Sequence, residues 1–134
     1  MRIVFVCVLL VLLCVTQFSA ALTFFQKHVK AGMTSDQCRA VMRQNRRYYD
    51  NGQCKRINSF IPVLRTAVNR LCANGDGNRQ LRINYVVDCV LRRISRFPNC
   101  LYTGQTYHAT HATILCRNGR PVHLAGVSRG QRMG

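Results

Sequence analysis

Four histidines and three lysines stand in a 134-residue chain that carries no glutamate and only four aspartates. Histidine is the side chain whose ordinary titration falls near neutral pH, so a pair of them can act as a general base and a general acid. A lysine beside them can offset the charge that builds on a phosphoryl group in its transition state. The sequence contains no HExxH helix and no Gly-rich phosphate loop, and the lack of glutamate leaves little for paired-carboxylate chemistry. Most carboxylate- and metal-driven hydrolases are thereby disfavoured, and imidazole chemistry on an anionic substrate is left.

The charge balance favours the same class of substrate. Twenty Lys+Arg against four Asp+Glu give a formal net charge of +16, and 17 of the 20 are Arg. Guanidinium groups meet phosphate through two parallel hydrogen bonds, which favours nucleic acid, heparin-like polymers or anionic lipid as partners. The arginines are spread among core-forming residues rather than gathered in a tail, so the folded surface itself is expected to be basic.

Arg2 precedes the apolar run Ile3 to Val15, and small and polar residues follow to Ala21. This is the pattern of a secretory signal, too short for a permanent anchor; a membrane tether is the competing reading. Cleavage after Ala21 puts Ser19 and Ala21 at the positions that need small residues, and leaves one domain over 22–134 with 113 residues, net charge +15 and six cysteines. Cys38, Cys54, Cys72, Cys89, Cys100 and Cys116 read as three disulfides in an oxidising compartment, with their pairing open. A zinc site is disfavoured because no CxxC pair or tight Cys/His cluster occurs.

Several elements must position the candidate histidines. Residues 23–29 place Phe24 and His28 one helical turn apart, which predicts a short amphipathic helix. A second helix is expected from Thr34 or Ser35 to about Arg47, ended by the turn residues 48–52. Residues 55–61 alternate as a strand, and Pro62 is expected in the first turn of a third helix running to Cys72. Strands follow over 81–87, 100–103, 107–115 and 121–127, with residues 74–78 as a loop and Asn118-Gly119 as a turn. Three short helices, mostly early, and a bent antiparallel sheet, mostly late, make an α+β fold.

Two motifs then become specific. Cys54-Lys55-Arg56-Ile57-Asn58-Ser59-Phe60 resembles the CKxxNTF signature of the pancreatic-type ribonuclease (ribonuclease A) superfamily. Residues 117–124, ending Pro121-Val122-His123-Leu124, are similar to its carboxy-terminal histidine motif, nearest to the angiogenin version. His28 also follows an aromatic pair as the family's first histidine follows its own, and the likeness runs from about 23 to 128.

The resemblance implies a ribonuclease A-like fold and a metal- and cofactor-independent endoribonuclease. His28, Lys55 and His123 would be catalytic, with Asn58, Ser59, Phe60, Asp88, Lys27 and Gln26 binding substrate and Phe60 helping to wall a pyrimidine pocket. It implies the pairs Cys38–Cys89, Cys54–Cys100 and Cys72–Cys116, and a cis-proline site at Phe97-Pro98. RNA would be the substrate, tRNA or rRNA, cut on the 3′ side of pyrimidines. His108 and His111 are read as structural or surface residues.

Departures from the family pattern have consequences. Ala125 stands where an aspartate orients the catalytic imidazole, so modest activity is expected. Gly126 stands in the part of the chain where angiogenin places a pocket-blocking glutamine, so an unobstructed pocket is expected. Base preference on the 3′ side should be reduced. Arg43, Arg46, Arg47 and Arg92, Arg93, Arg96 form two basic clusters that are candidates for nuclear targeting or cell binding. Angiogenic or antibacterial roles, anionic cell or bacterial surfaces and a ribonuclease-inhibitor type protein as partners, a monomeric state, and uptake to the nucleolus complete the expectation. The rival reading is a cationic host-defence protein acting on bacterial surfaces without RNA cleavage.

Overall fold

The computed structural model describes residues 7–12, 23–44, 49–50 and 52–133; most of the expected signal segment, and Arg46 and Arg47, lie outside them. Helix α1 covers residues 23–28. Its buried face carries Phe24 and Phe25, whose rings meet edge-on at 5.9 Å. The 3-10 turn Ser35–Gln37 leads into α2, Cys38–Gln44, and the entry is capped where the Gln37 side chain accepts the Thr34 N–H at 3.2 Å.

Helix α3 spans Arg65–Ala73. Pro62 therefore does not open it as expected. Ile61 is bridged to Val29 at the edge of the sheet, and the chain runs on through Pro62 to the cap residue Leu64 before helical geometry begins. Pairing with Val29, the residue after α1, thus competes successfully with the local proline signal.

The short ladder of β1 (Tyr49–Asp50) and β2 (Gln53–Cys54) occupies part of the expected turn. The main sheet contains β3 (Ile57–Phe60), β4 (Gly77–Arg82), β5 (Tyr85–Leu91), β6 (Tyr102–Arg117) and β7 (Arg120–Arg132), ordered β3-β5-β6-β4 with β7 also on β6, all antiparallel. The single strand expected over 81–87 is in fact the end of one strand and the start of another, and both pair with β6. The break expected at Gly104-Gln105 is also absent. Gly104 lets β6 pass the backbone of Ser35, whose carbonyl oxygen would lie 2.1 Å from a Cβ at this position.

Two cores flank the bent sheet. One gathers Phe24, Phe25, Val29 and Ile61 with Val68 of α3 and Val86, Ala112 and Ile114. The other gathers Met33, Met42, Phe60, Val87 and Tyr102. Successive residues Val86 and Val87 point to opposite cores, as the pleat requires. Disulfides join Cys38 to Cys89, Cys54 to Cys100 and Cys72 to Cys116, the three pairs that the resemblance implies. The Phe97-Pro98 bond is cis.

Candidate active site

His28 is fastened to β3 and to Ile61, the residue after that strand. Its backbone carbonyl accepts the Ile61 N–H at 2.8 Å, and its Nδ1 lies 2.9 Å from the Ser59 carbonyl oxygen. A carbonyl only accepts, so Nδ1 carries the proton and the neutral ring keeps its lone pair on Nε2. Burial pushes the His28 pKa down from 6.5 to about 4; nearby Lys55, Lys27 and His123 push the same way, and the Ser59 carbonyl opposes them. This imidazole is neutral at physiological pH and poised to accept a proton.

Lys55 is set by Asn58. The ammonium donates to Asn58 Oδ1 at 2.9 Å, while Asn58 Nδ2 donates to the Lys27 carbonyl at 2.7 Å. Asn58 thereby ties the lysine to the end of α1. It is 1% exposed, so the sequence-based placement of Asn58 against substrate gives way to a role in holding Lys55. Tyr102 supports the backbone here, donating its hydroxyl to the Lys55 carbonyl at 2.6 Å.

His123 comes from β7, opposite Leu115 on β6. The turn between these strands is Asn118-Gly119, both with positive φ, 53° and 75°, as a tight hairpin demands. Asp76 accepts both turn N–H groups, at 2.9 and 3.0 Å, and these bonds hold its carboxyl below its usual pKa. Register shifts on either side of His123 leave Val122 and Ala125 as extra residues, and such bulges re-aim the side chain between them. Among the described residues no side chain bonds the exposed ring of His123, in keeping with alanine at 125.

Ser59 and Asp88 face each other across β3 and β5, and the Ser59 hydroxyl donates to Asp88 Oδ1 at 2.7 Å. The expectation of an open pocket fails at this point. Arg129 of β7 reaches over the pair: Nε donates to Asp88 Oδ2 at 2.9 Å, and one terminal nitrogen donates to both Asp88 Oδ1 and Ser59 Oγ at 2.8 Å. Sequence reasoning stopped at Gly126 and missed Arg129. Alternation along β7 does not locate it, because further register shifts intervene between Ala112 and Tyr107 on the partner strand.

Phe60 also differs from expectation. At 1% exposure it belongs to the second core and cannot wall an open pocket. Gln26 is exposed, and Lys27 stands beside His28. His108 is exposed on β6, and His111 lies on the same strand with Nδ1 3.3 Å from Ser128 Oγ. Among the described residues no group of three His, Cys, Asp or Glu side chains is arranged to hold a metal ion.

A neutral imidazole, an ammonium and a second imidazole thus converge from α1, the segment before β3, and β7. The family model for pancreatic ribonuclease matches residues 19–125. The chain belongs to the pancreatic ribonuclease family. This ribonuclease is 33% identical over 110 residues to Ribonuclease-like 3 of Danio rerio, covering 75% of the chain and 73% of that protein. Angiogenin of Miopithecus talapoin is 34% identical over 111 residues, covering 75% and 73%. The solved structure of RNASE ZF-3E superimposes with a TM-score of 0.68 at 28% identity, over 81% of this chain and 96% of that one. The family makes the chain an endoribonuclease, with RNA as its substrate.

Proposed function

We propose that this ribonuclease is a secreted, metal-independent enzyme that cuts RNA on the 3′ side of pyrimidines. His28 Nε2 takes the proton of a 2′-hydroxyl, and the freed 2′-oxygen attacks the adjacent phosphorus. The P–O5′ bond breaks as protonated His123 gives its proton to the departing oxygen, leaving a 2′,3′-cyclic phosphate. Lys55 offsets the charge on the non-bridging oxygens. Hydrolysis of the cyclic phosphate reverses the two roles, and DNA is refused because it lacks the attacking hydroxyl. The observation that carries this reading is the hydrogen bond from His28 Nδ1 to the Ser59 carbonyl, which presents Nε2 as the basic nitrogen.

Ser59, backed by Asp88, reads the pyrimidine in this proposal, and Arg129 has to leave its hydroxyl first. Modest activity follows from that covering and from the unsupported His123. Residues 1–21 act as a signal and are removed, leaving 22–134 as the working domain. The net charge favours a second reading, in which the protein acts on anionic cell or bacterial surfaces, with angiogenic or antibacterial effect.

Wild type and His123→Ala, compared for tRNA cleavage, bacterial killing and endothelial tube formation, test both. Cleavage by wild type that does not exceed that of the variant defeats the catalytic reading. Killing that survives the substitution belongs to charge.

A further inference from the structure

Arg43 and Arg56, apart in the sequence from Arg92 and Arg93, border two cavities along one edge formed by residues 92–101. A cavity of about 320 Å³ is lined by Arg56 and Ile57 on one side and by Arg92, Arg93 and Ser95 on the other. A second, of about 380 Å³, sets Arg43 of α2 against residues 98–101 at the far end of the same loop. Ser95 folds the loop tip: its N–H and its hydroxyl both donate to the Arg92 carbonyl, at 3.1 and 2.7 Å. That turn leaves Ile94 79% exposed; Ile57, which lines the first cavity, and Phe97 are exposed as well. Among the described residues, none of Arg43, Arg56, Arg92, Arg93 and Arg96 makes a salt bridge. Asp36 is engaged with Thr34, Asp76 on the β6–β7 turn and Asp88 under Arg129.

An aliphatic tip ringed by arginines suits one kind of partner better than another. Single-stranded nucleic acid rewards aromatic platforms on which bases stack; the residue at the tip, Ile94, is aliphatic, and the aromatic Phe97 is less exposed. A bilayer rewards an isoleucine that enters the acyl boundary while flanking arginines keep their guanidinium groups at the headgroup phosphates.

We propose that this edge docks on an anionic phospholipid surface, with Ile94 as the inserted residue and Arg43, Arg56, Arg92, Arg93 and Arg96 as its electrostatic ring. The proposal deepens the surface-binding reading above and stands apart from RNA cleavage, since it uses none of His28, Lys55 or His123.

The chain has no tryptophan, so Ile94→Trp provides a single reporter. Protein recovered from culture medium, with its amino terminus read by mass, is mixed with vesicles of phosphatidylcholine alone or with equal phosphatidylglycerol. The tryptophan emission shifts to the blue only with the anionic vesicles, and Ile94→Ser binds them at least fivefold more weakly than wild type while cleaving tRNA at the wild-type rate. Equal binding by Ile94→Ser and wild type would overturn the proposal in favour of charge alone. A blue shift produced by a single-stranded oligonucleotide and not by vesicles would overturn it in favour of a nucleic-acid cleft. Loss of tRNA cleavage in wild type and variant alike counts against the catalytic reading and leaves the vesicle result standing.

Discussion

Arg129 grips the Asp88 carboxylate by both oxygens, at 2.8 and 2.9 Å, and the nitrogen that makes the shorter contact also donates to the Ser59 hydroxyl. Asp88 is 8% exposed, so its charge is well desolvated and depends on this partner. The carboxy-terminal strand thus stabilises the sheet and covers the hydroxyl proposed to read the base.

Those two effects have opposite signs in Arg129→Ala. Removing the fork uncovers Ser59, and release of a contact worth about 1 kcal/mol raises kcat/KM for a pyrimidine dinucleotide about fivefold. The same change leaves a desolvated carboxylate with one hydroxyl donor and lowers stability by about 1–2 kcal/mol. Steady-state kinetics and urea unfolding on one preparation check both. A variant that is less stable and no faster shows that Arg129 does not cover the site.

His28 makes stability depend on acid. Its folded pKa of about 4 lies below the ordinary 6.5, so between these values the unfolded chain binds the proton and the native chain does not. Stability therefore rises with pH through this window, is complete above 6.5, and is lost as pH falls toward 4, by at most about 3 kcal/mol. Unfolding of wild type at about pH 4.5 and about pH 7.5 should show the slope, and His28→Asn should flatten it. In kcat/KM, the acid limb due to the base should fall near pH 4 rather than near 6.5.

Asn58 is predicted to act through Lys55. Asn58→Ala removes the acceptor that positions the Lys55 ammonium and the donor to the Lys27 carbonyl, so kcat/KM falls about tenfold or more, and stability falls by about 1–3 kcal/mol. A merely structural Asn58 would leave the loss additive with Lys55→Ala. Acting through Lys55, the double variant should be scarcely slower than Lys55→Ala alone, a coupling that a double-mutant cycle reads directly.

The Cys72–Cys116 bridge ties α3 to β6 inside the first core and closes a loop with a sequence separation of 44. Replacing both cysteines by alanine should cost about 2–5 kcal/mol in urea unfolding. Little or no loss would mean that packing of Val68 and Ile114 alone holds the helix on the sheet.

Residue types and local spacing were enough to point to the α+β class, the early helix bearing Phe24 and His28, the lysine segment before β3, and the hairpin turn at Asn118-Gly119 that precedes His123. These features were legible because each rests on short-range rules: helical spacing, alternation along a strand, positive φ in a tight turn. The disulfide pairs and the candidate site residues were legible through the resemblance of two motifs, not through spacing.

Other features depended on contacts between distant segments. Gly104 reads as a break until the backbone of Ser35 passes across it, and Pro62 reads as a helix start until Ile61 is bridged to Val29. Phe60 looks like a pocket wall in its motif, but in three dimensions it is core.

By itself the sequence determined the charge, the class of fold and which side chains could do acid–base chemistry on a phosphodiester, because those follow from residue type and near neighbours. Tertiary structure alone decided that Asn58 serves Lys55 and that Arg129 lies over Ser59 and Asp88. The reason is geometric: the register shifts between β6 and β7 decouple position in the chain from position on the sheet, so the reach of Arg129 across to β5 exists only once the strands are paired.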